Sequence, residues 1–201
     1  MSPSDRHPGR PRRPDVDVRL REAVLGLLRS GGPGAVTVEA VAAASGVAKT
    51  TIYRRHANSA ELLRATLTEA VGAPEAPTDG SVRDKIRVAL ERTWGHMTDI
   101  LGPGGLAALV MGTDSEFTEL FRATLRPYDD ALATRIREDA RAGLLRADVD
   151  AEAVVSLFVG AYLGELVRHG RVDDRWLDRC LDLMWAALVP PSDRAGAGPG
   201  P

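Results

Sequence analysis

Residues 37–56 read TVEAVAAASGVAKTTIYRRH, the pattern of two short helices around a tight turn at Ser45-Gly46-Val47. Thr37 is placed to cap the first helix by accepting a backbone N–H, and Val38, Val41 and Ala42 recur at helical spacing to give it one buried face. Gly46 supplies the positive φ that a sharp turn between helices requires, without a Cβ clash. The second helix carries Lys49, Thr50, Thr51, Tyr53, Arg54 and Arg55 around a single apolar anchor, Ile52. A surface made almost wholly of hydrogen-bond donors suits phosphates and base edges, so the element is expected to be a DNA-binding helix-turn-helix.

These residues resemble the N-terminal DNA-binding region of the TetR family of bacterial transcriptional regulators. The family pattern is a capping Thr, a small-residue helix, Gly-Val, a Lys-x-Thr-hydrophobic-Tyr recognition helix, and then a capped helix opening with Glu-Leu. Thr37, Ala42 to Ala44, Gly46-Val47, Lys49, Thr51, Ile52, Tyr53, Asn58 and Glu61-Leu62 fill those places. Two departures stand out. Ala48 replaces a Ser that often caps the recognition helix, forgoing about 1 kcal/mol. Ser59 stands where a phosphate-contacting Lys is common.

Outward from this element, the chain divides into a basic arm at 1–14, a helix-turn-helix head at 15–62, a ligand-binding and dimerisation body at 63–189, and a tail at 190–201. The arm, MSPSDRHPGRPRRP, has too little apolar surface to fold alone. Its Arg10, Arg12 and Arg13 suit an A·T-rich minor groove, where a narrow groove concentrates negative potential; a solubilising leader is the alternative. From Asp15 a helical pattern places Val18, Val24, Leu25, Leu27 and Leu28 on one face and stops before Gly31-Gly32-Pro33-Gly34. Asn58 with Glu61 reads as a capping box ahead of Leu62, Leu63 and Leu67.

The body reads as helices throughout. Ser81 opens a long one through Leu101; Gly102-Pro103-Gly104-Gly105 is expected to end it before a short apolar helix, Leu106 to Met111. Another spans about 115–145, strained or kinked near Pro127. Two more, about 151–168 and 174–188, are capped by Asp150 and Asp173 and separated by Gly170. No strand-like alternation occurs, so the expected fold is all-α with about nine helices.

Two constellations in the body bear on function. Gly160 and Gly164 form GxxxG beside Leu157 and Ala161, and the last helix adds Trp176, Leu177, Leu181, Met184 and Trp185. The resemblance implies that the last two helices pair with those of a second copy; packing on their own core is the alternative. Trp94, His96, Met97, Met111, Phe117, Phe121, Tyr128, Phe158 and Tyr162, with Glu165 as a polar contact, could line a small-molecule cavity or be plain core. Arg168 and His169, at the end of the same helix, are further polar candidates.

Composition narrows the classes. Residues 1–56 carry ten Lys or Arg against five Asp or Glu, and residues 57–201 carry sixteen against twenty-three, so the front attracts nucleic acid and the back does not. A single cysteine, Cys180, excludes an internal disulfide framework and fits a reducing cytoplasm. The most apolar run, at 153–164, is too short to span a bilayer, and no secretory h-region follows the basic N-terminus. Neither metal-ligand spacing nor a nucleophile, phosphate-loop or dinucleotide motif is found, so no cofactor, metal or enzymatic activity is expected. The expected protein is a cytoplasmic homodimeric regulator that resembles the TetR family. It binds a palindromic operator through Thr37, Lys49, Tyr53, Arg54, Arg55 and His56 on phosphates and Thr50 and Thr51 on base edges, with Lys49 an alternative guanine reader. Release by a small apolar effector is expected. The alternatives are a ligand-independent dimeric DNA-binding protein and, more remotely, an enzyme without recognisable motifs.

Overall fold

The computed structural model describes residues 14–74, 80–173 and 175–190. Where apolar residues recur every three or four positions the chain is helical: α1 (Pro14–Gly31), α2 (Val38–Ser45), α3 (Lys49–Tyr53), α4 (Ser59–Val71), α5 (Val82–Gly95), α6 (Gly102–Met111), α7 (Ser115–Arg141), α8 (Ala151–His169) and α9 (Trp176–Leu188). No strand occurs among the described residues, and none of their helices is long and apolar enough to cross a membrane. The chain divides into two compact units, one within Met1–Ala70 and Asp99–Thr118, the other within Val71–Thr98 and Glu119–Pro201.

The first unit is organised by α1. Leu20, Val24 and Leu28 form its buried stripe, joined in the core by Val38 and Val41 of α2, Ile52 of α3, and Leu62, Leu63 and Leu67 of α4. Val18, expected on that stripe, is instead exposed. The unit also takes in α6, which sequence patterning assigned to the body.

The glycines at 102–105 leave no gap between helices, although Gly102 takes φ 56°, in the left-handed region, where one helix passes into the next. α5 runs through a π-helical turn, His96–Leu101, directly into α6. Their purpose is close approach: a Cβ on Gly104 would stand 2.5 Å from the Gly32 nitrogen and 2.8 Å from the Leu28 carbonyl oxygen. A Cβ on Gly102 would meet that of Arg29 at 2.7 Å. Only bare backbone lets α6 pack this tightly on α1.

In the second unit, Ile86 and Leu90 of α5, Ala133 and Ile136 of α7, Val154, Phe158 and Tyr162 of α8, and Trp176, Leu177, Leu181 and Leu188 of α9 make the core. Arg87 pairs with Asp178 at 2.8 Å across α5 and α9. α7 continues through Pro127, which lies exposed within it. It ends at Arg141, earlier than expected, with Gly143 at φ 75° in the turn that follows. The caps of α8 fall where patterning put them. Asp150 accepts from the Glu152 and Ala153 amides at 3.0 and 3.1 Å, and Gly170 closes α8 in the left-handed region. In contrast, α9 opens at Trp176 with Arg175 as its N-cap and no side-chain cap, and Asp173, expected to cap it, accepts instead from the Arg175 amide at 2.8 Å.

Candidate nucleic-acid interface and effector cavity

The turn of the helix-turn-helix is built from local hydrogen bonds. Thr37 Oγ1 accepts from the Ala40 amide at 3.1 Å and so caps α2. Ser45 Oγ donates to the Val41 carbonyl at 2.6 Å and accepts from the Val47 amide at 3.2 Å, carrying the chain past Gly46, which sits at φ 67°. Arg19 of α1 donates to the Ser45 carbonyl at 3.3 Å. Buried Ile52 and Val47 pin α3 from beneath.

With that face anchored, the opposite face of α3 is open. Thr50 and Arg54 are exposed, Tyr53 is 53% exposed, and Thr51, Arg55 and His56 are half-buried. The cations are not equivalent. Lys49 pairs with Glu39 of α2 at 2.8 Å, and this contact holds the Glu39 carboxyl below the usual carboxylate range. Arg55 pairs with Asp17 of α1. The Arg54 guanidinium makes no ion pair or hydrogen bond among the described residues. Both acidic partners escaped sequence reasoning, because they come from other helices at separations with no pattern.

Ala48, at the start of α3, offers no side-chain cap. The capping box ahead of α4 differs slightly from its expected form. Asn58 Oδ1 accepts from the Glu61 amide at 2.8 Å, but Glu61 reaches back to the Ala57 amide at 2.6 Å rather than to that of Asn58. Arg10, Arg12 and Arg13 lie outside the described residues.

Of the residues proposed for effector contact, Trp94, Met97, Phe158 and Tyr162 share one small space in the second unit. Trp94, Tyr162 and Trp176 pack edge-to-face with centroid separations of 5.6 to 6.2 Å. With Met97 and Phe158 they leave a space of only about 10 Å³. Met111 is 73% exposed and ends α6; Phe117 and Phe121 are buried. Glu165 faces Arg179 of α9 at 3.7 Å and His169 at 4.0 Å. His96 lies edge-on to Tyr128 at 4.9 Å, and burial, then the Arg92 charge, holds its pKa below the ordinary value. The Tyr128 hydroxyl donates to the Val71 carbonyl at the end of α4. A cavity of about 50 Å³, unforeseen from sequence, opens instead between α5 and α7 beside Tyr128.

The residues proposed for dimer contact separate into two groups. Trp176, Leu177 and Leu181 are buried in the chain's own core. Gly160 and Gly164 are exposed with open space where a Cβ would stand, flanked by Leu157 at 59% exposure, Val167 and half-buried Ala161. On α9 the exposed apolar residue is Leu183, at 82%, which patterning did not single out; Met184 and Trp185 are half-buried. Cys180 is partly covered, and burial pushes its thiol up, away from a reactive thiolate.

An all-helical chain with a capped helix-turn-helix presenting an open donor surface is a DNA-binding transcriptional regulator. Residues 20–66 match the family described as bacterial regulatory proteins, tetR family, and residues 76–184 match the tetracyclin repressor-like C-terminal domain. The chain belongs to the TetR family. It is similar to the DNA-binding transcriptional repressor TetR of Mycobacteroides abscessus, 27% identical over 187 residues, covering 87% of this chain and 94% of that protein. Among solved structures it resembles the fatty acid degradation regulator FadR from Bacillus halodurans, with a TM-score of 0.66 and 16% identity over 84% of this chain and 93% of that one. It also resembles FadR from Bacillus subtilis in complex with stearoyl-CoA, with a TM-score of 0.65 and 16% identity over 83% of this chain and 96% of that one.

Proposed function

We propose that the chain is a homodimeric repressor that binds a palindromic operator and is released from it by a small, largely apolar effector. The observation that carries the DNA half is the exposed surface of Thr50, Tyr53 and Arg54 on an α3 held from beneath by Ile52. Arg54, Arg55, Lys49, Thr37, Tyr53 and His56 position the head on phosphates, and Thr50 and Thr51 read base edges, with Lys49 the alternative reader of guanine. Arg10, Arg12 and Arg13 extend this contact into the minor groove. The exposed Leu157, Gly160, Gly164 and Val167 stripe on α8, with Leu183 on α9, supports pairing with a second copy, because self-association along such a face removes exposed apolar area from water. The repressor named in M. abscessus supports the sign of regulation, and the stearoyl-CoA bound to the B. subtilis regulator supports an apolar effector.

The closed packing of Trp94, Tyr162 and Trp176 favours a second reading, in which dimeric DNA binding needs no ligand. Selection of bound sequences from a random DNA pool, followed by titration of a small-molecule library against the selected site, distinguishes them. The repressor reading expects two half-sites about one helical turn or a small multiple apart, steep weakening with salt, and at least one compound that lowers operator affinity. Sequence-independent binding overturns the operator assignment; a palindrome that no compound affects supports the ligand-independent reading.

A further inference from the structure

We propose that the second unit binds an amphipathic anion, an aliphatic chain ending in a carboxylate, with Lys85 as its counter-ion. This names the chemistry of the effector and rests on the effector-responsive reading above. The cavity between α5 and α7 is lined by Ile86, Ala89 and Leu132, with Lys85, Arg92 and Arg135 set, among the described residues, against one carboxylate, Asp129. A larger depression of about 450 Å³ is lined by Leu144, Trp185 and Val189 with Arg83, Lys85 and Arg135, and no carboxylate of the described residues lines it. Lys85 and Arg135 therefore line both spaces, one of them the size of a carboxylate group and the other within the range of small-molecule sites.

The cations differ in what already neutralises them. Arg135 pairs with the buried carboxylate of Asp139 at 3.1 Å. Arg83 pairs with Asp182 and lies over the Trp185 ring at 5.8 Å. The ammonium of Lys85, one of two lysines in the chain, makes no hydrogen bond or ion pair among the described residues. An incoming carboxylate thus gains a charge-assisted contact without displacing a resident partner. Asp129 is the opposing carboxylate, and burial, then the neighbouring Asp130, holds its pKa above the usual carboxylate value. A cationic ligand meets the Lys85 ammonium as a like charge. A neutral apolar ligand strips water from the Lys85 ammonium and returns nothing.

The test is calorimetric titration of the full-length protein with decanoate, decanol and decylamine, alongside K85M and K85R. Decanoate is expected to bind at least about tenfold more tightly than either other compound. K85M should lose at least about tenfold in decanoate affinity while keeping ligand-free operator affinity, and K85R should retain most of it, the size expected for one charge-assisted contact. Equal binding of decanoate and decanol, an unaltered K85M, or no decanoate binding overturns the site. Operator titrations separate this from the broader reading. Lys85-dependent decanoate binding that leaves operator affinity unchanged keeps the site and defeats decanoate-type effector control. Operator release by another compound, undiminished in K85M, keeps effector control and defeats the site.

Discussion

Arg54 and Arg55 are adjacent in sequence and opposite in circumstance. Arg54 projects into solvent, whereas Arg55 is already paired with Asp17 of α1. A phosphate must displace a carboxylate to reach Arg55 and displaces only water to reach Arg54. Arg54→Ala is therefore expected to weaken binding about equally on all sequences and to lower the slope of log affinity against log salt by about one. Arg55→Ala should lower it by less; filter binding across a salt series checks both. His96 is a second residue whose surroundings decide its behaviour. Its pKa is held below 6.5 by burial and then by Arg92, so the unfolded chain binds the proton more readily than the folded one. The neutral histidine contributes its full stability above the unfolded value, and this falls as pH drops through about 6.5 toward the folded pKa, below which it changes no further. Thermal melts between about pH 7.5 and pH 5.5 should show a decline on acidification that is shallower in His96→Gln.

At the scale of elements, α3 is the shortest α-helix among the described residues and begins without a side-chain cap. It persists because Ile52 and Val47 are buried beneath it and not through its own propensity. Ala48 has φ −60° and ψ 136°, an extended backbone compatible with a capping hydroxyl. Ala48→Ser is expected to stabilise the protein by about 0.5–1 kcal/mol in denaturant titration, with operator affinity equal or higher. The opposite behaviour appears in α6. Its glycines look like helix breakers by composition; Gly102 does take a left-handed φ of 56° at the junction, yet no gap in helix follows, and Gly104 admits the backbone of α1. Glycine's missing Cβ reads the same whether it bends a chain or lets two chains touch. Only the neighbour distinguishes these uses.

On the scale of the whole molecule, the proposed dimer depends on a face that this chain leaves open. Gly160→Leu or Gly164→Leu places a bulky side chain where nothing lies within 4 Å in the isolated chain, so the fold should tolerate it. If α8 meets a second copy there, overpacking should cost about 1–3 kcal/mol per contact. The expected outcome in sedimentation is a folded monomer with lost operator binding and an unchanged melting profile at low concentration. A variant that remains dimeric and fully active places the seam elsewhere. Within the subunit, Trp176, Leu177 and Leu181 are committed to the core, so α9 contributes to any such seam through Leu183 and its exposed neighbours.

The sequence alone was enough for the all-helical class, the helix-turn-helix, its Thr37 cap, its Gly46 turn and the Asp150 and Gly170 boundaries of α8. Those features are local: a cap bonds to an amide three residues away, and a helical face repeats every three or four positions. The tertiary structure decided the rest. It turned the aromatic set around Trp94 into packed core, opened a cavity beside Lys85, paired Lys49 with Glu39 and Arg55 with Asp17, and set α6 on α1 through Gly102 and Gly104. Each of these depends on which helix lies across from a residue, and contacts between distant segments leave no period in the chain.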